Sequence, residues 1–247
     1  MSELPRKIKG AILTCGQLLL IPAIIGAYLY PPSVMWLIAT IVLSYHFSVF
    51  GWILGQHRYF THRQFKVSPL MEKWLMFWAV IGTWQSPIEW SNTHLQHHKH
   101  SDTEKDVHSV KNLGWKNFFF YFHKTDDLDL SMTSMRMIKS KWHLRALHFK
   151  YLIIYMYAYL MYLFFGPMGL LYGWIIPTAY SMLSQIVIVM SHKDGKPIDS
   201  FLIDLITLGE GNHKKHHETP RLYYADTLLK PVIRVIRHEK NRHTSGI

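Results

Sequence analysis

The residues best suited to chemistry in this chain are histidines, and they are clustered. The clusters are His57-Arg58-Tyr59-Phe60-Thr61-His62, His94-Leu95-Gln96-His97-His98 and His213-Lys214-Lys215-His216-His217. Two read HxxHH and one HxxxxH. Neutral imidazole is the commonest protein metal ligand. On a helix, positions i, i+3 and i+4 share a face, so HxxHH is expected to aim three ring nitrogens at one point. Two such faces and a further pair exceed the needs of one tetrahedral ion. The economical reading is a dinuclear site, with iron, copper or zinc as suitable ions. The competing reading, surface histidines in basic loops, must explain why the same spacing occurs twice.

The elements that position these clusters are apolar. Of 247 residues 49% are hydrophobic and 15% aromatic, while 17% are charged, below the roughly 25% of soluble domains. No Asp, Glu, Lys or Arg occurs from Gly10 to His57, or from Tyr151 to His192. A bilayer core takes about 20 apolar residues per helical crossing, so each block is long enough for two. Each is broken near its middle, at Tyr30-Pro31-Pro32-Ser33 and at Gly166-Pro167-Met168-Gly169, and Pro and Gly punctuate helices. The blocks predict two transmembrane hairpins: Ala11–Tyr30 with Val34–Leu54, and Tyr151–Phe165 with Leu170–Ser191. The fold expected is an all-α membrane protein, four transmembrane helices in two hairpins (about 11–54 and 151–191) under a cytosolic helical cap (about 55–150 and 192–247). The whole of 1–247 reads as one domain.

Every Lys and Arg lies outside the two blocks. The positive-inside rule then puts both termini and all three clusters in the cytoplasm, as a shared metal site requires. Arg6, Lys7 and Lys9 precede an apolar run too long for a signal peptide, which predicts an uncleaved first helix. The net charge of +11 suits anionic headgroups of membrane lipids and an acidic partner protein; nucleic acid is a poor partner for such a chain. Cys15, the single cysteine, excludes an intramolecular disulfide and Cys-based zinc or iron–sulfur sites.

Between the hairpins, Trp74–Trp84 is too short to span and predicts an interfacial or buried helix. Phe118–Phe122 suits an interface belt. Met135–Phe149 predicts a basic amphipathic helix lying on the surface, and Val232–Arg237 has the same character. His57 follows the second apolar helix and His192 follows the fourth. The candidate metal ligands are therefore His57, His62, His94, His97, His98, His192, His213, His216 and His217. Spacing alone leaves His192 open between ligand and ordinary histidine.

The motifs HRYFTHRQFK at 57–66, HLQHHKHSDT at 94–103 and GEGNHKKHH at 209–217 resemble those of the integral-membrane fatty acid desaturases, in particular the Δ9-type (stearoyl-CoA desaturase-like) acyl desaturases. HxxxxH in the first box points to that branch, since Δ12-type relatives usually have HxxxH. The resemblance covers most of the chain and implies a non-haem di-iron centre held by the nine histidines above. It implies an O2-dependent desaturase placing a cis double bond, at Δ9, in a saturated acyl-CoA or acyl-lipid. The electrons would come from a donor such as cytochrome b5 or ferredoxin, because the chain shows no flavin or nicotinamide fingerprint. An acyl or alkyl hydroxylase on the same scaffold is the alternative. A histidine-rich metal transporter would need polar residues through the bilayer centre, and a zinc hydrolase needs only three or four ligands.

The chain departs from the family pattern at three places. An Asn that commonly holds a metal-bound water one turn before the histidine matching His192 is here Ile188, with Gln185 one turn deeper as a substitute. The aromatic residue before the third box is Asn212, and Asn92 and Thr93 stand where animal acyl-CoA enzymes carry a basic and an acidic residue. Metal-bound histidines usually donate their second N–H to a carboxylate or carbonyl; Glu89, Asp102, Asp106, Glu210 and Asp226 are candidates, and each reads equally as a helix cap or a surface charge. Trp84, Gln85 and Trp90 are candidates to line an acyl tunnel. His108 suits a structural or headgroup role and His46 a satisfied core position. His100, His123, His143, His148, His238 and His243 read as surface residues.

Overall fold

The computed structural model describes residues 16–109, 111, 130–193, 195–221 and 228–237, and these are mostly helical. In chain order the helices are α1 (Leu20–Leu29), α2 (Val34–Tyr45), a π-helical segment (His46–Thr61), α3 (Pro69–Thr83), α4 (Pro87–His100), α5 (Met132–Ile138) and α6 (Lys141–Leu170). A short π-turn (Leu171–Ile175) joins α6 to α7 (Ile176–Val189). A two-stranded ribbon, β1 (His192–Lys193) with β2 (Lys196–Pro197), and three short helices, α8 (Phe201–Thr207), α9 (His213–Glu218) and α10 (Lys230–Ile236), complete the described chain.

Two helical stretches, Val34–Thr61 and Lys141–Val189, are long and apolar enough to cross a membrane. Their outward faces stay apolar: Leu37, Ile41, Leu152, Tyr159 and Phe164 are all exposed. The second stretch is not straight. Gly166 has φ +63, a conformation in which a Cβ is disfavoured, and Pro167 follows it. The chain turns back there, so that the Tyr157 hydroxyl donates to the Gly173 carbonyl at 3.2 Å. The far ends of the two apolar units meet: the Tyr172 hydroxyl donates to the Tyr30 carbonyl at 2.5 Å, and Trp36 packs against the rings of Phe165 and Tyr172.

Several boundaries differ from the expectation. The second apolar helix runs on to Thr61, seven residues past Leu54, and so carries His57 within it. The basic stretch Met135–Phe149 is not one surface helix. Ser131 caps α5 through the Ser134 N–H, and a new helix starts at Lys141 and continues into the apolar block. There Lys150, 6% exposed, turns inward to pair with Glu89 of α4. His143 also differs. It is buried with its ring edge-on to Phe60, because the inner face of α6 begins at its first turn. Cys15, Phe118–Phe122, His123, Asp226, His238 and His243 lie outside the described residues.

The core forms where α3 packs along the π-helical segment. Phe47, Ile53, Leu54, Leu75, Ala79 and Ile81 have no exposed surface or almost none. The approach is close because it is lined by glycine. A Cβ on Gly51 would collide with the Trp78 carbonyl, and one on Gly82 with the Phe47 carbonyl. Small residues at helix crossings allow this kind of backbone contact in apolar surroundings. The expected short helix over Trp74–Trp84 is thus buried from Trp78 onward, while Trp74 and Phe77 remain exposed. Trp84 ends it in the left-handed conformation, φ +59, 2% exposed and stacked on Trp174 at 5.9 Å.

Candidate metal centre

All nine candidate histidines come together, in two groups. His57, His62, His94, His98 and His216 each offer one ring nitrogen to the first; His97, His192, His213 and His217 do so to the second. Within each group these atoms lie within 4.8 Å of one another. The local sequence explains how. In a π-turn residues five apart stand over each other, and the His62 N–H donates to the His57 carbonyl at 3.1 Å. HxxxxH on a π-helix therefore does what HxxxH does on an α-helix.

The two HxxHH boxes do not aim three rings at one point, as expected. On α4, His94 and His98, one turn apart, go to the first group and His97 to the second. On α9 the pattern reverses: His213 and His217 go to the second and His216 to the first. The outer pair stacks along the helix while the middle residue is rotated away by about 60–100°, so one box serves two neighbouring points. The two helices meet with opposite allocation.

In the first group the Nε2 atoms form a continuous chain. His57 to His216 is 2.8 Å, His216 to His98 3.1 Å, His98 to His94 3.0 Å and His94 to His62 3.1 Å. In the second, His192 Nε2 and His213 Nε2 are 2.9 Å apart. His217 Nε2 and His213 Nδ1 are buried without a hydrogen-bond partner. This donor set fits metal ions. A neutral imidazole has one N–H, and where Nδ1 carries it, as at His57 beside Glu210, Nε2 presents a lone pair to the point of convergence. Ligands about 2.1 Å from one ion lie about 3.0 Å apart at right angles but about 3.4 Å apart in a tetrahedron. The spacing found matches the former, and five-fold provision likewise exceeds a tetrahedral site.

Three carboxylates set the tautomers. Glu210 Oε1 is 3.0 Å from His57 Nδ1 and 2.8 Å from the Arg58 guanidinium. Asp106 Oδ1 is 2.8 Å from His97 Nδ1, and Asp102 lies 2.9 Å from His192 Nδ1. Each accepts Nδ1–H and leaves Nε2 as the ligand. Of the expected candidates, Glu89 differs: its carboxylate accepts from the Ser86 backbone N–H and hydroxyl and pairs with Lys150, closing a capping box at the start of α4.

Burial favours the neutral form of most of the rings. Burial, and then the neighbouring imidazoles, push His62, His94, His98, His213 and His216 far below the usual imidazole range, and His217 to about 3. Burial also lowers His192, against its Asp102 partner. For Asp106 burial opposes ionisation, but the His97 bond and charge outweigh it and hold the carboxyl at about 2. Burial likewise opposes ionisation of Glu210, and Arg58 and His57 overcome it. Neutral imidazole is the form in which histidine binds a metal.

A cavity of about 620 Å³ borders His57, His94, His97, His192 and His213. Trp52, Gln85, Trp90, Gln185 and Ile188 line it, and Trp90 stacks on His94 at 4.4 Å. Trp84, expected beside Gln85 and Trp90, packs in the core instead. The Gln185 amide donates to the Ser181 and Gly82 carbonyls and not to a histidine. His108 lines the cavity mouth, where its N–H donates to Asp106. His46 is satisfied by the Val42 carbonyl at 2.7 Å.

Against known proteins the agreement is broad. The family model for fatty acid desaturase matches residues 31–227, and the chain belongs to that family. It is 27% identical over 183 residues to an acyl-CoA 5-desaturase of Anemone leveillei, covering 68% of this chain and 57% of the relative. It is 25% identical to a Delta-9 acyl-lipid desaturase of Arabidopsis thaliana, covering 68% and 59%, and 28% identical to a probable acyl-CoA desaturase of Schizosaccharomyces pombe, covering 81% and 46%. The chain thus spans about half to three fifths of the length of these relatives.

Proposed function

We propose that this chain is an O2-dependent acyl desaturase. Two iron ions bind the nine histidines, one among His57, His62, His94, His98 and His216, the other among His97, His192, His213 and His217. The observation that carries this reading is the pairing of two all-histidine groups with a cavity that runs alongside both and is walled in part by Trp52, Trp90, Ile188 and Val189.

Held by these nine histidines, two irons would supply the O2 chemistry that an unactivated methylene requires. The protein's part is placement and exclusion. Glu210, Asp106 and Asp102 hold protons on Nδ1 of their histidines and keep Nε2 free. Trp52, Trp90, Ile188 and their neighbours form a dry wall along which a saturated chain lies against the metal positions. A –CH2–CH2– unit, O2, two electrons and two protons become –CH=CH– and two waters. Those two electrons would come from an outside protein donor, in keeping with a sequence that shows no flavin or nicotinamide fingerprint. The double bond is cis and at Δ9, a position favoured by the HxxxxH first box and by the Arabidopsis relative. The relatives differ in carrier, acyl-CoA or acyl-lipid, and in position.

The two apolar helical units each cross the membrane twice, giving four transmembrane helices in one domain. The histidine-bearing segments form a cap on the cytoplasmic side with both termini. The exposed apolar flanks of both units and the uncharged far tips support this topology.

Expression in a desaturase-deficient host, with fatty-acid profiling by gas chromatography–mass spectrometry, tests the proposal. It predicts a new monounsaturated species that a His97→Ala variant does not make. A hydroxylated product, or a profile equal to that of the variant, would overturn it.

A further inference from the structure

The two histidine groups are alike in donors and unlike in charge. The first has one carboxylate behind it, and that carboxylate is neutralised. Glu210 Oε1 lies 2.8 Å from the Arg58 guanidinium and 3.0 Å from His57 Nδ1, with Arg58 and Glu210 each 1% exposed. Salt screens a buried pair little, so five imidazoles face a backing without net charge. The second group has two carboxylates for four imidazoles, Asp106 on His97 and Asp102 on His192. Among the described residues neither aspartate pairs with Lys or Arg. Neutral donors hold them instead. Asp106 accepts from the backbone N–H of Asp102 at 2.9 Å and of His108 at 2.8 Å, and Asp102 accepts from the Ser101 hydroxyl at 3.1 Å.

Two further observations point the same way. Asp102 has φ +60, a left-handed conformation open to few residues besides Gly, Asn and Asp, and strain of this kind collects at functional sites. The charges also reach the rings. Burial weighs most on His62, His216, His192 and His217. Beyond it, Arg58 opposes positive charge on His62 and His216, while Asp106 favours it on His192 and His217. Arg221 adds to the first effect from the surface. Lys111 shares the cavity with the second group but is exposed, where solvent and salt screen it.

Reduction of a ferric to a ferrous ion removes one positive charge, so nearby negative charge holds the ferric state and its absence favours the ferrous one. We propose that Arg58, by cancelling Glu210, sets the order of reduction: the ion among His57, His62, His94, His98 and His216 takes the first electron, and the ion among His97, His192, His213 and His217 stays ferric until the second. The proposal rests on the di-iron reading. Arg58 is a positioning residue here, since it acts through Glu210 and not as a ligand. Each step adds one electron to one ion, and the donor is oxidised by the same count.

The test is a mediated redox titration of the iron-loaded full chain in nanodiscs, followed by Mössbauer spectroscopy. Dithionite, oxidised to sulfite, supplies the electrons. Two one-electron steps are expected. Asp102→Asn should favour reduction in the lower-potential step at least tenfold, about 59 mV for one electron, and leave the other step in place. Arg58→Met should disfavour the higher-potential step by a similar factor, and adding Glu210→Gln should return it towards the parent. A purely structural role would change iron content without moving these potentials. Should Arg58→Met fail to hold iron, Asp102→Asn, at a carboxylate 17% exposed, decides alone. A shift of the higher step by Asp102→Asn, or of neither step, would overturn the proposed order while leaving the di-iron reading intact. A parent without two irons would overturn that reading and the order with it.

Discussion

The backbone N–H of His62 donates to the carbonyl of His57 at 3.1 Å, across five residues. That bond brings the two rings to a centroid distance of 4.9 Å. On an α-helix the same pair would diverge by about 140°. The HxxxxH spacing and the π-helix are therefore one feature, and whatever holds the π-helix holds the first group.

The close contact of α3 holds it. Gly51→Val would press a branched side chain into the Trp78 carbonyl. Overpacking of this kind costs about 1–3 kcal/mol and more where backbone must shift. The variant should melt earlier and lose metal from the first group before the second. Thermal denaturation followed with metal analysis checks this; an unchanged melting temperature would contradict it.

Glu210 is 1% exposed and carries two duties, on His57 and on Arg58. Glu210→Gln should weaken metal binding about 10–100-fold and break the buried ion pair with Arg58, costing about 3–5 kcal/mol. Adding Arg58→Met to that variant should recover much of the stability but not the metal affinity. A double-mutant cycle on melting, beside metal titration, separates the two duties. Additive losses in stability would contradict the pairing.

The metal-free protein should be acid-sensitive. His217 titrates near 3 in the fold against about 6.5 unfolded. Above about 6.5 the ring is neutral in both states. As pH falls from there towards 3, the unfolded chain takes up a proton that the fold refuses, and stability is lost at about 1.4 kcal/mol per pH unit per ring. Asp106, held at about 2, carries the loss further down. Denaturant melts from pH 7.5 to 4.5 should show the midpoint falling, and added metal should move the onset to lower pH. A flat profile would contradict the burial of these rings.

Much of the site was legible because imidazole chemistry leaves a spacing behind. The nine histidines converge in two groups, and Glu210, Asp106 and Asp102 lie beside three of them. What the spacing alone did not reveal was allocation. HxxHH reads as one face, yet a 2+1 split between two points needs only the rotation between i and i+3, and which ring goes where depends on how α4 and α9 meet. Nor did the apolar pattern mark the π-helix, since hydrophobic residues follow both helix types there. The clue lay in Gly51 and Gly55, spaced for close approach to α3. The burial of His143 at the start of α6 was missed for a related reason: it sits in a basic stretch that faces water on one side only.

The central claim is that two ions share nine histidines in a five-and-four division. Iron quantification of the purified chain, with His62→Ala and His213→Ala prepared alongside, tests it most directly. The parent should hold about two irons per chain, each variant about one, and the double variant close to none. One tightly held ion in the parent that either variant abolishes, or zinc in place of iron, would contradict it.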